Sequence, residues 1–142
     1  MTSLPHQSAW MTDELRLFRE SVRQFVREEF APHQDRWHEQ LRPDAEAWTK
    51  AGATGLLLSD VDEAYGGGGG NFAYEAVVIE ELARAGIPFG SSVQSIVAHY
   101  LRAYAGEERK RDWLPRMARG ELVGSIAMTE PDAGSDLLGI KT

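Results

Sequence analysis

Thr129, Pro131, Gly134 and Ser135 stand close together in the run AMTEPDAGSD, residues 127–136, and their types suit the holding of something polar. Glu130 precedes a proline and is biased to an extended backbone, while Pro131 presets the first corner of a turn that Asp132, Ala133 and Gly134 can complete. Past that corner the main-chain N–H groups around Gly134 and the Ser135 hydroxyl have no ladder to pair with. Gly134 also lets a ligand come close to the backbone, so the run has the makings of an oxyanion or phosphate contact. A strand that ends in a Pro-Gly turn with a solvated serine is the plainer reading of the same residues.

Other chemically capable residues are less well placed. Glu28 and Glu29, Glu80 and Glu81, and Asp60, Asp62 and Glu63 could serve as acids or bases. Neighbours on a helix diverge by about 100 degrees, so neither Glu-Glu pair converges on one proton. These carboxylates read as solvated or capping charges. His33 and His38 are out of register for two ligands on one helical face, and the chain has no cysteine, so no metal site is expected. His6 lies in the N-terminal tail. His99, between Ala98 and Tyr100, suits hydrogen-bonded packing. The run AYGGGGGN, residues 64–71, lacks the strand and helix context of a dinucleotide loop and reads as a plain loop.

Around these residues lies a chain of 142 residues with 42% hydrophobic content, enough for one domain with a real core. Its formal charge of -7, without a cationic cluster, argues against nucleic acid or an anionic bilayer as partner. No apolar run reaches the roughly 20 residues of a membrane span. Met1 to Trp10 lacks the charged-then-apolar order of a signal peptide, which makes a cytoplasmic location the expectation.

The elements that must position the turn are mostly helices. Leu15, Phe18, Val22, Phe25, Val26 and Phe30 recur at helical spacing over residues 12–30, with Thr12 as cap and Pro32 as the expected stop. Residues 44–51 predict a short helix, capped by Asp44, closed by Gly52 and apolar on Ala47, Trp48 and Ala51. Asn71 can cap a helix apolar nearly all round, centred on Ala76, Val77, Val78, Ile79, Leu82 and Ala83. Another runs from about Ser91 to Ala105 and carries Val93, Ile96, Val97, Tyr100, Leu101 and Tyr104. EERKRDWLPRMARG predicts two short turns divided at Pro115 and ended by Gly120. At LVGSIAM, residues 122–128, strand formers take over. The expected architecture is therefore mainly α: an all-α domain over 1–120, then the first strand and turn of a truncated β domain over 121–142.

TEPDAGSD, Thr129 to Asp136, resembles the signature of the acyl-CoA dehydrogenase family. The likeness extends to AYGG at 64–67, EELARA at 80–85 and GEERKRDWLPRMARGELVG at 106–124. It covers that family's N-terminal helical domain and the opening of its middle β domain. The resemblance implies FAD as cofactor, with Ile126, Ala127, Met128 and Thr129 beside the flavin ring and Gly134 and Ser135 at the pyrophosphate. Fixed donors at the pyrimidine edge would favour hydride acceptance there. Ser135 would also touch the CoA part of the substrate, while Gln94 and Ser95, with Ser91 and Ser92, would set the width of the acyl pocket or simply pack. Two positions depart from the pattern: Ile126, where an aromatic residue is common, and Asp62, where proline is common.

The implied reaction oxidises an acyl-CoA thioester to the 2,3-enoyl-CoA in fatty acid metabolism and passes electrons to an electron-transfer flavoprotein. The glutamate base belongs to the family's C-terminal bundle, so no catalytic residue is assigned here. The 142-residue chain alone is expected to be inactive and to hold flavin poorly, and the full-length form to be a homo-oligomer, dimer or tetramer. Two other readings stand beside this one: a noncatalytic helical interaction module, and a related flavin oxidase or monooxygenase of the same architecture.

Overall fold

The structure, a computed structural model, describes residues 8–141, and His6 lies outside them. It is mainly α. Helix α1 spans Asp13–Phe25 and starts where the Thr12 hydroxyl accepts the Leu15 N–H at 3.2 Å. Pro32 does not stop the chain there. The winding loosens into a π turn at Val26–Phe30, tightens into a 3-10 turn at Ala31–His33 and continues as α2, Gln34–Gln40. Pro32 sits at the start of the tight turn, where a missing N–H costs no hydrogen bond. The detour brings Phe30 inward against Phe25, Trp37 and Phe89, with ring centroids 4.9, 5.2 and 4.7 Å away.

Helix α3, Ala45–Ala53, follows Asp44. The Asp44 carboxylate does not cap it; it accepts Trp37 Nε1 at 3.0 Å and Gln40 Nε2 at 3.1 Å and pairs with Arg36. Those two hydrogen bonds hold its pKa below the usual carboxylate range. Gly52, expected to close α3, lies inside it. A Cβ there would come within 2.4 Å of the Arg119 main chain, and one on Gly120 within 2.1 Å of the Trp48 carbonyl. The two glycines let α3 and the end of α6, Glu107–Ala118, touch backbone to backbone. Pro115 sits within α6 without dividing it, because it falls in the last turns, where only one ladder bond is forfeited.

Helix α4, Phe72–Ala85, is capped by Asn71, whose side chain accepts the Ala73 N–H at 2.9 Å, and buries Val77, Val78 and Leu82. It packs along α1, and α5, Ser91–Tyr104, packs on both α4 and α6. Between α1 and α4, Arg23 grips Glu81 through two nitrogens at 2.9 and 3.0 Å, while Arg19 approaches Glu81 at 3.5 Å and pairs with Glu80. Glu81 is thus buried and paired, not a solvated charge. The glycine run forms the expected loop, but a tightly held one. Gly68, Gly69 and Gly70 donate to Leu58, Val61 and Ser59 carbonyls at 3.1, 2.8 and 3.0 Å, and a Cβ on Gly67 would meet the Val61 carbonyl at 2.2 Å.

Helix α5 turns its polar residues inward. Ser91, Gln94, Ser95 and Ala98 are buried and Val97 and Leu101 half-buried, whereas Tyr100 and Tyr104 are 59% and 82% exposed and Val93 and Ile96 face solvent. After Gly120 the chain bends at residues 121–122, where both N–H groups donate to the Arg116 carbonyl, and then runs irregularly to residue 129. Residues 122–128 form no ladder among the described residues, so the expected strand is absent as a paired element; only Glu130 and Ala133 bridge. A strand needs a partner, and none lies alongside among the described residues.

Gly120 and Gly55 both hold left-handed backbone, at φ 71° and 73°, but Gly55 has nothing within 4 Å of a Cβ. Gly55→Ala should therefore cost only the strain of that backbone, about 1–2 kcal/mol, and Gly120→Ala clearly more, as read by urea unfolding. Equal losses at the two positions would rule out the backbone contact as a determinant of the fold.

Candidate functional site

The turn is built as its residues suggest. Glu130 and Ala133 exchange both main-chain hydrogen bonds, N–H to O, at 2.9 and 3.2 Å across Pro131 and Asp132. Ala133 is buried beneath the corner, while Thr129, Gly134 and Ser135 are exposed. Nothing lies within 4 Å of a Cβ on Gly134, so its main chain is open to a ligand. Ile126, Ala127, Met128 and Thr129 are exposed, and their main-chain N–H and C=O groups have no partner among the described residues. Unpaired donors and acceptors over residues 126–129, with an open glycine beyond the closed Glu130–Ala133 turn, fit the polar edge and phosphates of a dinucleotide cofactor.

Just before this run, residues 122–125 border a largely apolar groove of about 370 Å³, also lined by Val97, Leu101, Trp113 and Met117. Gln94 and Ser95 do not line it. Gln94 is fully buried, and its amide donates to the Met117 and Leu122 carbonyls at 3.1 and 2.7 Å and accepts the Gly124 N–H at 2.6 Å. Ser95 is buried with no hydrogen-bond partner for its hydroxyl among the described residues. Both are buried on α5, and Gln94 lies one turn before Val97, the first α5 residue to meet the groove.

Sequence reasoning missed a second polar group. Glu75 is buried on α4, and burial, then the nearby Asp60 carboxylate, push its pKa from 4.5 to about 7, with Ser59 opposing weakly. Glu75 Oε1 and Asp60 Oδ1 lack partners among the described residues. Asp60 Oδ2 meets His99 Nε2 at 2.9 Å, so His99 is hydrogen-bonded and the Asp60 carboxylate, with its side chain 5% exposed, is not solvated. The available signal was a lone carboxylate within the apolar run of α4. No group of three or more His, Cys, Asp or Glu able to hold a metal occurs among the described residues. Nor is any described helix long and apolar enough to cross a membrane.

Residues 12–121 match the family model described as Acyl-CoA dehydrogenase, N-terminal domain. The chain belongs to the acyl-CoA dehydrogenase family. It is 43% identical over 128 residues to the long-chain specific acyl-CoA dehydrogenase, mitochondrial, of Sus scrofa, a match covering 89% of this chain and 30% of that protein. Among solved structures, an acyl-CoA dehydrogenase from Geobacillus kaustophilus is 38% identical with a TM-score of 0.84, over 94% of this chain and 36% of that one. A glutaryl-CoA dehydrogenase from Mycobacterium smegmatis in complex with FADH2 is 31% identical, also with a TM-score of 0.84, over 93% and 35%. The chain thus spans about a third of the length of these relatives.

Glu75 makes stability depend on pH. With its folded pKa near 7 and its unfolded pKa near 4.3, the folded state binds the extra proton between those values. Stability should fall as pH rises through this window, by up to about 4 kcal/mol, and the loss should be complete above it. Glu75→Gln should flatten the dependence, as seen in thermal midpoints taken between the two pKa values and above them. An unchanged slope in the variant would assign the dependence to other groups.

Proposed function

We propose that this chain is the N-terminal portion of an FAD-dependent acyl-CoA dehydrogenase that converts an acyl-CoA thioester to the 2,3-enoyl-CoA and delivers electrons to an electron-transfer flavoprotein. One observation carries the reading: a partnerless, exposed run, Ile126 to Thr129, leads from Ser125 at the rim of an apolar groove to the turn that presents the open Gly134. A thioester substrate needs both surfaces, an apolar one for the acyl chain and a polar one where the cofactor meets the reacting carbons. Ile126, Ala127, Met128, Thr129, Gly134 and Ser135 are the residues that would hold FAD, and Ser135 would also reach the CoA moiety. FAD, when bound, supplies the hydride acceptor. This chain's own part is to orient and to exclude water; the base belongs to the portion that follows in longer relatives. On this reading the helical domain ends near residue 120, and residues 121–142 open a β domain. The assembled protein is a homo-oligomer.

The exposed face of α5, Val93, Ile96, Tyr100 and Tyr104, favours a second reading, a noncatalytic helical module that binds a partner protein. One experiment separates the two. Produced with the rest of the polypeptide that carries it, the chain should be yellow and bleach on addition of acyl-CoA, with an electron-transfer flavoprotein restoring the colour. The 142-residue chain alone should lose flavin on dialysis. A longer form that stays colourless with added FAD would eliminate the enzyme reading, and reoxidation by oxygen alone would shift it to an oxidase of the same architecture.

A further inference from the structure

We propose that Gln94 is a positioning residue for the flavin-facing segment: its carboxamide anchors residues 122–124 to the helical domain and sets the heading on which residues 126–129 leave it. The inference rests on the flavin reading above. Gln94 is fully buried on α5, and a carboxamide offers two N–H donors and an acceptor oxygen. Both donors are engaged. Nε2 donates to Met117 O, in the last turn of α6, and to Leu122 O beyond it, while Oε1 accepts the Gly124 N–H. One side chain therefore bridges the end of a helix and both ends of the tripeptide Leu122–Gly124.

The same face of α5 also presses on that tripeptide. A Cβ on Gly124 would lie 2.9 Å from the Val97 Cβ, and Val97 follows Gln94 by one helical turn. Gly124 thus lies flat against α5, gripped by Gln94 and backed by Val97. Ile126 is at most about 7 Å of chain further on. From Ser125 to Thr129 the main chain has no other hold among the described residues, until the Glu130–Ala133 turn closes. Leu122 and Gly124 are therefore the points at which the helical domain fixes the heading of the flavin-facing groups. A buried amide whose partners are all main chain is costly to disturb, because each lost bond leaves a desolvated group behind.

The test uses the complete flavin-loaded protein. Gln94→Leu keeps most of the volume and removes all three hydrogen bonds. Gln94→Glu keeps the acceptor for Gly124 and loses the donors to Met117 and Leu122. Gly55→Ala strains the fold without touching the segment and controls for general destabilisation. Flavin affinity, the shape of the bound-flavin absorption band, and amide exchange at residues 122–129 are measured for each. Gln94→Leu should weaken flavin binding at least tenfold, alter the band and raise exchange at Gly124, with Gln94→Glu intermediate and Gly55→Ala matching the unaltered protein in all three. If Gln94→Leu does not fold, the same shifts in Gln94→Glu carry the proposal. Affinity within twofold and an unchanged band in whichever Gln94 variant folds would overturn it. A colourless unaltered protein would instead overturn the flavin reading, a separate result from an unchanged variant of a yellow one.

Discussion

The fold turns on a place where two main chains touch. Gly52 in α3 and Gly120 just past α6 have no side chains because the Arg119 and Trp48 backbones occupy that space. The contact fixes where α6 ends and the direction in which the chain departs. Gly120 makes the reversal with left-handed backbone, and everything beyond it, Leu122, Gly124 and the turn at Pro131, inherits that heading. Side-chain packing elsewhere tolerates adjustment by a methyl group; a backbone contact does not.

Around that contact the helices are joined by two kinds of glue. Aromatic rings centred on Phe30 tie the α1–α2 arm to the loop before α5, with Trp48 and Phe89 at 4.3 Å extending the cluster to α3. Between α1 and α4 the join is ionic, Glu81 being buried and met by Arg23 and Arg19. Buried ion pairs of this kind add little over an apolar contact but are costly to break on one side. They therefore fix register more than they add stability. The site residues depend on both joins only indirectly, through the position of α5.

Much of this was legible in the sequence. Apolar spacing placed α1 and α4, Thr12 and Asn71 marked their starts, and Pro131 with its neighbours foretold the turn, because each is a local signal read by the residue's own backbone. What escaped depended on partners distant in sequence. Pro32 and Pro115 pointed to breaks that the surrounding turns absorb. Gly52 looked like a helix end and is a packing contact. Resemblance alone left Gln94 and Ser95 either at the acyl pocket or in plain packing, and nothing local foretold that α5 buries them while exposing Tyr100 and Tyr104. Glu75 gave only the faint sign of one charge in an apolar run. LVGSIAM has strand composition, but pairing is a property of two segments and cannot be read from one.

The five glycines at residues 66–70 have a last consequence. An unbranched, side-chain-free loop on a protein surface is ordinarily where proteases cut, since it can slide into an extended cleft. Here four successive N–H groups, Gly67 to Gly70, are already donated to carbonyls of residues 58–62. Presenting that run to a protease would mean peeling it off its neighbour first, so a stretch that looks like the chain's weakest link should resist nicking as long as the helices around it stay folded.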